Sequence, residues 1–375
     1  MFWKAGVASV PSLDASRQKR ARSLARARLL SGALEFAVLL GLLLVFWYFS
    51  PRLTALLPTN LVAAAVAYFF VLAFSLAILD FPLAYYREFV LPHRFGLSEQ
   101  KFGNWLSDSL KMGLPSLLLL GGLVGVAYFF ILESSGWWLF MWLSLLLLSL
   151  LLNLALPGLI LPRLYKLEPL GDGDLKDRLL LLPKKAAREV KDIYVIKLSE
   201  KGTASNAALV GIGRTKKIVL GDNLLRSYSP EEIEVILAHE LGHDANADSY
   251  RLLIFQALFF LAVFYLTSLL WGAFDPVSLD SPESLPGLLI LVSVIVVALT
   301  PLFNFYSRRL EERADRYALE LTDNPDAFIG MMARLTDQNL LPAGPSSLVE
   351  TVFSDHPSYS SRVAVAEKYR LGRSS

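Results

Sequence analysis

The stretch Ser229–Trp271, SPEEIEVILAHELGHDANADSYRLLIFQALFFLAVFYLTSLLW, joins a metal-binding pattern to a membrane-length apolar run. Its opening reads as a capped helix, with Ser229 at the N-cap, Pro230 at the first helical position and Glu232 three residues on, a capping box. Ile233, Ile236 and Leu237 continue it at helical spacing. On such a helix His239 and His243 stand at i and i+4, so both imidazoles project from one face and can share one Zn²⁺. Glu240 lies beside His239, placed to take a proton from water rather than to bind the metal. The second half, Leu252–Trp271, is an uninterrupted apolar run of the roughly 20 residues that a bilayer-crossing helix requires.

Five further runs match it: Leu30–Phe49, Leu61–Phe81, Gly113–Leu132, Trp137–Leu161 and Pro286–Phe305. Two or three such runs fit the buried core of a large soluble protein, but six almost free of Lys and Arg predict a polytopic membrane protein. The composition agrees: 54% of the 375 residues are hydrophobic, 19% are charged, and mean hydropathy is +0.47. The chain has no cysteine, which excludes disulfides, Cys-based zinc sites, iron–sulfur clusters and a thiol nucleophile. A net charge of +2 gives a nucleic-acid partner no support. The first run is preceded by Arg17, Lys19, Arg20, Arg22, Arg26 and Arg28 but followed by no small-residue cleavage site, so it reads as a retained helix and not a signal peptide.

Thirty-five of the 36 Lys and Arg residues fall in the two ends and in alternate connections, and Arg52 is the sole cation in the three opposite loops. By the positive-inside rule both termini and the polar segments are expected in the cytoplasm, at the inner membrane of a bacterium or the endoplasmic reticulum of a eukaryote. The predicted organisation is a basic N-terminal segment (1–29), four spans (30–161) with an inner loop at 82–112, a first polar piece (162–251), a transmembrane hairpin (252–306) and a second polar piece (307–375). The two polar pieces are expected to pack together beneath the bundle. Asp192–Leu198 (DIYVIKL) and Lys217–Leu220 (KIVL) read as strands, with Ser205–Gly211 (SNAALVG) as a possible third. The fold class predicted is thus an all-α polytopic membrane protein of six helices, with a cytoplasmic zinc domain containing a small β-sheet.

A hydrolytic zinc site needs a third protein ligand. No histidine follows His243 closely, and only His93 and His356 remain. A carboxylate on a second helix is the alternative, and Ser307–Leu321 (SRRLEERADRYALEL) offers Glu311, Glu312 and Asp315 just after the last run. Glu311 and Asp315 share a face, whereas Glu312 points elsewhere. The same helix also reads as a solvated, salt-bridged one, its acids paired with Arg308, Arg309 and Arg316. If the fifth and sixth spans form an antiparallel hairpin, His243 and Glu311 arrive at the same edge of the membrane.

Several blocks resemble the integral-membrane CAAX prenyl proteases of type 1, zinc endopeptidases of the gluzincin kind. They are Tyr86–Lys111, Leu167–Gly173 (LEPLGDG), Ser205–Ala207 (SNA), Lys217–Leu225 (KIVLGDNLL), Val235–His243 (VILAHELGH), Arg308–Ala318 (RRLEERADRYA) and Ser354–Pro357 (SDHP) followed by Arg362. The resemblance implies that Glu311 is the third zinc ligand beside His239 and His243, and that Glu240 is the general base. It implies that Asp315 orients a ligand histidine, that Asn206 lies on a strand holding substrate backbone, and that His356 and Arg362 face the scissile bond or the carboxyl end of the peptide. It also implies seven spans around a chamber, against six here, the missing one being the first. His93 reads as an ordinary loop histidine.

The function expected is a membrane-embedded zinc endopeptidase with one Zn²⁺ at the cytoplasmic boundary of the lipid bilayer, cleaving the C-terminal tripeptide of prenylated CAAX-type peptide or protein substrates. Two alternatives stay open: a quality-control zinc protease without prenyl specificity, and a transporter or scaffold with a structural zinc, for which Asp80, Asn153 and Gln256 within the spans are the supporting polar residues.

Overall fold

The computed structural model describes residues 13–155, 167–199, 207–211 and 216–373. Helix α1 (Ala15–Thr54) is capped by Asp14, whose carboxylate accepts hydrogen bonds from the Ser16 and Arg17 amides. The boundary expected between residues 29 and 30 falls inside α1. Arg, Ala and Leu are all good helix formers, and nothing between the basic stretch and the apolar run breaks the helix. α2 (Leu61–Ala84) passes through a π-helical turn at Tyr85–Val90 into α3 (Leu91–Phe95), which ends at Gly96 with a left-handed φ of +69°. α4 (Phe102–Glu133) and α5 (Trp137–Ala155) follow.

Beyond the first four runs come α6 (Asp174–Lys185), α7 (Asp222–Ser227), α8 (Pro230–Ala245), α9 (Asp248–Phe274), α10 (Leu285–Thr322), α11 (Pro325–Gln338), α12 (Ser347–Phe353) and α13 (Tyr359–Arg373). Among the described residues five helices are long and apolar enough to cross a membrane: Ala15–Thr54, Leu61–Phe95, Phe102–Glu133, Asp248–Phe274 and Pro282–Thr322. The apolar part of α5, Trp137–Asn153, is shorter, and the rest of the run expected at Trp137–Leu161 lies outside the described residues. Large apolar side chains such as Ile78, Leu118, Leu147 and Leu269 stand exposed along these helices, a surface that suits lipid and not water. At the end of the bundle away from the metal motif, hydroxyls and an indole tie the helices together. Tyr128 Oη and Ser284 Oγ are 2.9 Å apart, Ser50 Oγ donates to Glu283 O at 2.9 Å, and Trp47 Nε1 donates to Asp275 Oδ2 at 2.9 Å.

A four-stranded mixed sheet lies beside the zinc-motif helix, in the order β1 (Leu167–Pro169), β2 (Ile193–Ile196), β4 (Lys217–Gly221), β3 (Ala207–Val210). β2 runs parallel to β4, with Ile193 opposite Ile218, while β1 and β3 are antiparallel edges. β1, a three-residue strand ending in proline, was not foreseen from the sequence. Its neighbour β2 sets it, since a run so short carries no periodicity of its own. Leu179 and Leu182 of α6, Ile193, Ile218 and Leu220 of the sheet, Leu237 and Leu241 of α8, Leu319 of α10 and Phe328 of α11 form one buried core. The two polar pieces of the chain, separated in sequence by the hairpin α9–α10, therefore share one interior.

Two local features aim α8. Ser229 Oγ accepts from the Glu232 amide at 3.2 Å while Glu232 Oε2 accepts from the Ser229 amide at 2.8 Å, closing the capping box. Gly242, between the two histidines, lets α8 lie against α10 at backbone distance. α10 is 38 residues long and, at about 1.5 Å per residue, carries the chain without a break from the apolar run to Glu311, about 9 Å past Phe305.

Candidate metal centre

His239 and His243 project from one face of α8, and Glu311 of α10 meets them. His239 Nε2 and His243 Nε2 are 3.2 Å apart, Glu311 Oε2 lies 3.3 Å from the first, and Glu311 Oε1 lies 3.4 Å from the second. A tetrahedral zinc site with bonds of about 2.0–2.1 Å sets neighbouring donors about 3.3–3.4 Å apart. Glu311 meets the two histidines through different oxygens, so these are contacts among four donor atoms, each close to that spacing, and the donor set fits zinc. Among the described residues these three are the one group of His and acidic side chains close enough to hold an ion.

Each imidazole is fixed through its other nitrogen. Asp315 Oδ1 is 3.0 Å from His239 Nδ1, and Asp248 Oδ2 is 3.0 Å from His243 Nδ1. A ring that donates Nδ1–H to a carboxylate presents its Nε2 lone pair to the metal side. Burial works against a charged His239 ring, yet its hydrogen bonds with Asp315 and Glu311 carry its pKa up to about 9. The His243 pKa is raised in the same way, burial opposing it and Glu311 prevailing. Two imidazoles facing three carboxylates thus favour positive charge at their centre, the electrostatic condition for a divalent cation.

Glu240 is half-buried beside the cluster, and its loss of solvent pushes its carboxyl upward, with the nearby Glu311 acting in the same direction and the two histidines opposing. A carboxylate so raised is a better proton acceptor near neutral pH. His356 stands at the rim, its side chain 58% exposed, with Nε2 3.5 Å from Glu311 Oε1 and Nδ1 2.9 Å from Asp355 Oδ1. Its pKa is raised, chiefly by the Asp355 hydrogen bond.

Arg362 reaches the back of the ligand set, its Nη2 standing 3.5 Å from His239 Nδ1. It is buried, its Nε donates to Asp315 Oδ2 at 2.7 Å, and its Nη2 pairs with Asp315 Oδ1. The guanidinium fork is therefore spent on a carboxylate of this chain, which cannot stay buried and ionised without a partner. Glu312 points away and meets Arg309 Nη1 at 3.3 Å. His93 stands apart, its ring nitrogens 2.6 Å from Phe89 O and 2.9 Å from Gln100 O. Asn206 lies outside the described residues, immediately before β3. Asp248 and Arg313, which pairs with it, were not singled out from the sequence. The sole signal was an aspartate five residues past His243, without helical phase to place it.

Comparison with known proteins adds the ancestry. Residues 169–370 match the model of peptidase family M48, and residues 7–166 match that of the CAAX prenyl protease N-terminal region, described as five membrane helices. Similar chains include an uncharacterized metalloprotease of Bacillus subtilis, 31% identical over 81% of this chain and 73% of its own length. A CAAX prenyl protease 1 homolog of Arabidopsis thaliana is 30% identical over 84% of this chain and 77% of its own. The crystal structure of S. mikatae Ste24p superposes with a TM-score of 0.80 at 25% identity, covering 94% of this chain and 89% of that one. With the histidine, glutamate and aspartate positions of the metal cluster all inside the matched region, the chain belongs to peptidase family M48, in its CAAX prenyl protease 1 branch, as a multi-pass membrane zinc metalloprotease.

Proposed function

We propose that this protease removes the C-terminal tripeptide of prenylated CAAX-type substrates, using one zinc ion held by His239, His243 and Glu311 on the cytoplasmic face. The observation that carries the reading is the set of 3.2–3.4 Å contacts joining His239, His243 and Glu311, standing about 9 Å beyond the end of an apolar membrane helix. A water-soluble peptide tail can reach such a site while an attached lipid stays among the spans. The similarity to the Arabidopsis CAAX prenyl protease 1 homolog supports the substrate class, and the one-sided distribution of Lys and Arg supports the cytoplasmic placement.

Zinc bound by these side chains would supply Lewis acidity, activating water and drawing charge from a carbonyl oxygen. The chain's own residues do the rest. Glu240 accepts a proton from the attacking water at its carboxylate and returns it to the leaving amine, so that one peptide bond and one water give a carboxylate and an amine. His356, at the rim, donates a hydrogen bond toward the oxygen on which negative charge develops. Asp315 keeps His239 in one tautomer, and Arg362 is assigned to holding Asp315 rather than to the peptide carboxylate. β3 pairs with β4 on one side, and its outer edge suits an extended peptide added as a further strand; Asn206, the residue before β3 in sequence, is assigned to holding that peptide's backbone.

The test compares a farnesylated CAAX peptide with its unmodified twin. The expected result is faster cleavage of the lipidated peptide at the residue after the modified cysteine, and equal rates would remove lipid-directed specificity. Equal rates would favour a general membrane-protein protease, a reading supported by the similarity to the Bacillus metalloprotease. The transporter or scaffold reading is not retained, because the family is one of peptidases.

A further inference from the structure

Asp248 is the first residue of α9 and follows Ala247, whose φ of +54° turns the chain sharply between α8 and α9. Alanine tolerates that left-handed conformation poorly, so the turn is held by what surrounds it. Its effect is to bring the Asp248 carboxylate back against α8. Oδ2 reaches His243 Nδ1 at 3.0 Å, while Oδ1 is bound by Arg313 Nη2, and the side chain is only 4% exposed.

This mirrors the other imidazole, where Asp315 meets His239 Nδ1 and Arg362 holds Asp315. In both cases a buried carboxylate fixes a ligand ring and an arginine compensates the carboxylate. The two carboxylates come from different helices of the membrane hairpin: Asp315 from α10, and Asp248 from the opening turn of α9.

We infer that Asp248 is a positioning residue for the metal ligand His243, held in place by Arg313, so that both helices of the transmembrane hairpin orient the metal site. The inference rests on the reading of His239, His243 and Glu311 as zinc ligands. Asp248 also suits the positive end of the α9 dipole, a role that would affect stability without touching the metal. The two roles make different predictions.

The experiment uses the full chain in detergent and measures zinc affinity by competition with a chelator, with thermal melting alongside. Asp248→Ala is expected to weaken zinc binding by about 10- to 100-fold, the usual cost of losing a carboxylate behind a ligand histidine. Asp248→Asn keeps an oxygen that can accept the Nδ1–H and is expected to recover part of that loss. In the cobalt-substituted protein the visible absorption of Asp248→Ala should shift as the His243 ring loosens. Arg313→Met, which frees Asp248 without removing it, is expected to weaken zinc several-fold and serves where Asp248→Ala does not fold. Lower melting temperature with wild-type zinc affinity and an unchanged cobalt spectrum would overturn the inference and leave only the helix-end role. A wild-type chain that binds no zinc would overturn the ligand reading itself.

Discussion

Gly242 of α8 and Ala314 of α10 meet backbone to backbone: a Cβ on the glycine would lie 3.1 Å from Ala314 Cα and 3.2 Å from its carbonyl oxygen. The contact sits between the two ligand histidines on one helix and between Glu311 and Asp315 on the other. The crossing distance of α8 and α10 therefore sets the distance from the imidazoles to Glu311.

Gly242→Ala forces backbone, not a flexible side-chain tip, to move by a few tenths of an ångström. Overpacking of this kind costs about 1–3 kcal/mol in stability, and functional geometry tolerates about 0.5 Å. The expected outcome is a folded protein with a lower melting temperature and zinc affinity reduced by about tenfold, read by chelator competition. Unchanged affinity would mean that the glycine serves packing alone.

Glu240→Gln removes a proton acceptor while keeping shape and volume. Turnover of any cleavable peptide should fall by about 10²- to 10⁴-fold, the range ascribed to a positioned acid–base group. Zinc content and melting temperature should remain those of the parent, because Glu240 stands outside the donor set. Zinc analysis on the purified variant, paired with a peptide-cleavage assay, checks both halves. Parental turnover would refute Glu240 as the base.

The features legible in the sequence were those encoded locally. The capping box at Ser229–Glu232 and the i, i+4 pair His239–His243 needed only helical phase, and the spans needed only length and composition. Helical phase also put Glu311 and Asp315 on one face and Glu312 on another, as the structure has them. It could not choose between a ligand and a surface ion pair, because that choice depends on α8 and α10 meeting at Gly242 across more than sixty residues. Asp248 was hidden for a related reason: the left-handed turn at Ala247 breaks the helical register that would have placed it. Arg362 could be read as a carboxylate binder, but whether that carboxylate belongs to a substrate or to Asp315 is a tertiary fact.

Metal removal should destabilise the chain as well as silence it. A ligand that binds only the folded state adds about 4 kcal/mol when present at about a thousand times its dissociation constant. Here the three ligands come from two helices, His239 and His243 from α8 and Glu311 from α10, so an ion held by them would tie those helices together in the folded state. Dialysis against a strong chelator is expected to lower the melting temperature by several degrees and to abolish cleavage. Both should return on adding one equivalent of zinc. A melting curve indifferent to chelator and zinc would show that the metal contributes nothing to the fold.

Acid should loosen the link between the segment that follows β2 and the start of α7. Burial of Asp222 raises its carboxyl pKa, but hydrogen bonds from Ser199 Oγ at 2.5 Å and from the Ser199 and Leu198 amides, each at 2.9 Å, outweigh it and hold the value below 3.8. The unfolded chain takes up this proton near 3.8, the folded chain only at lower pH, so between those values the unfolded state binds more protons. The stability contributed by Asp222 is thus fully present above the unfolded value and is lost as pH falls through the folded one. Asp222→Asn cannot ionise and lacks that contribution at every pH. At pH 7 the parent should melt at a higher temperature than Asp222→Asn. Below about pH 4 the two curves should converge progressively, as measured by thermal melts at stepped pH in detergent. A difference that persists undiminished to pH 2 would show that the Asp222 carboxylate is not the source of that stability.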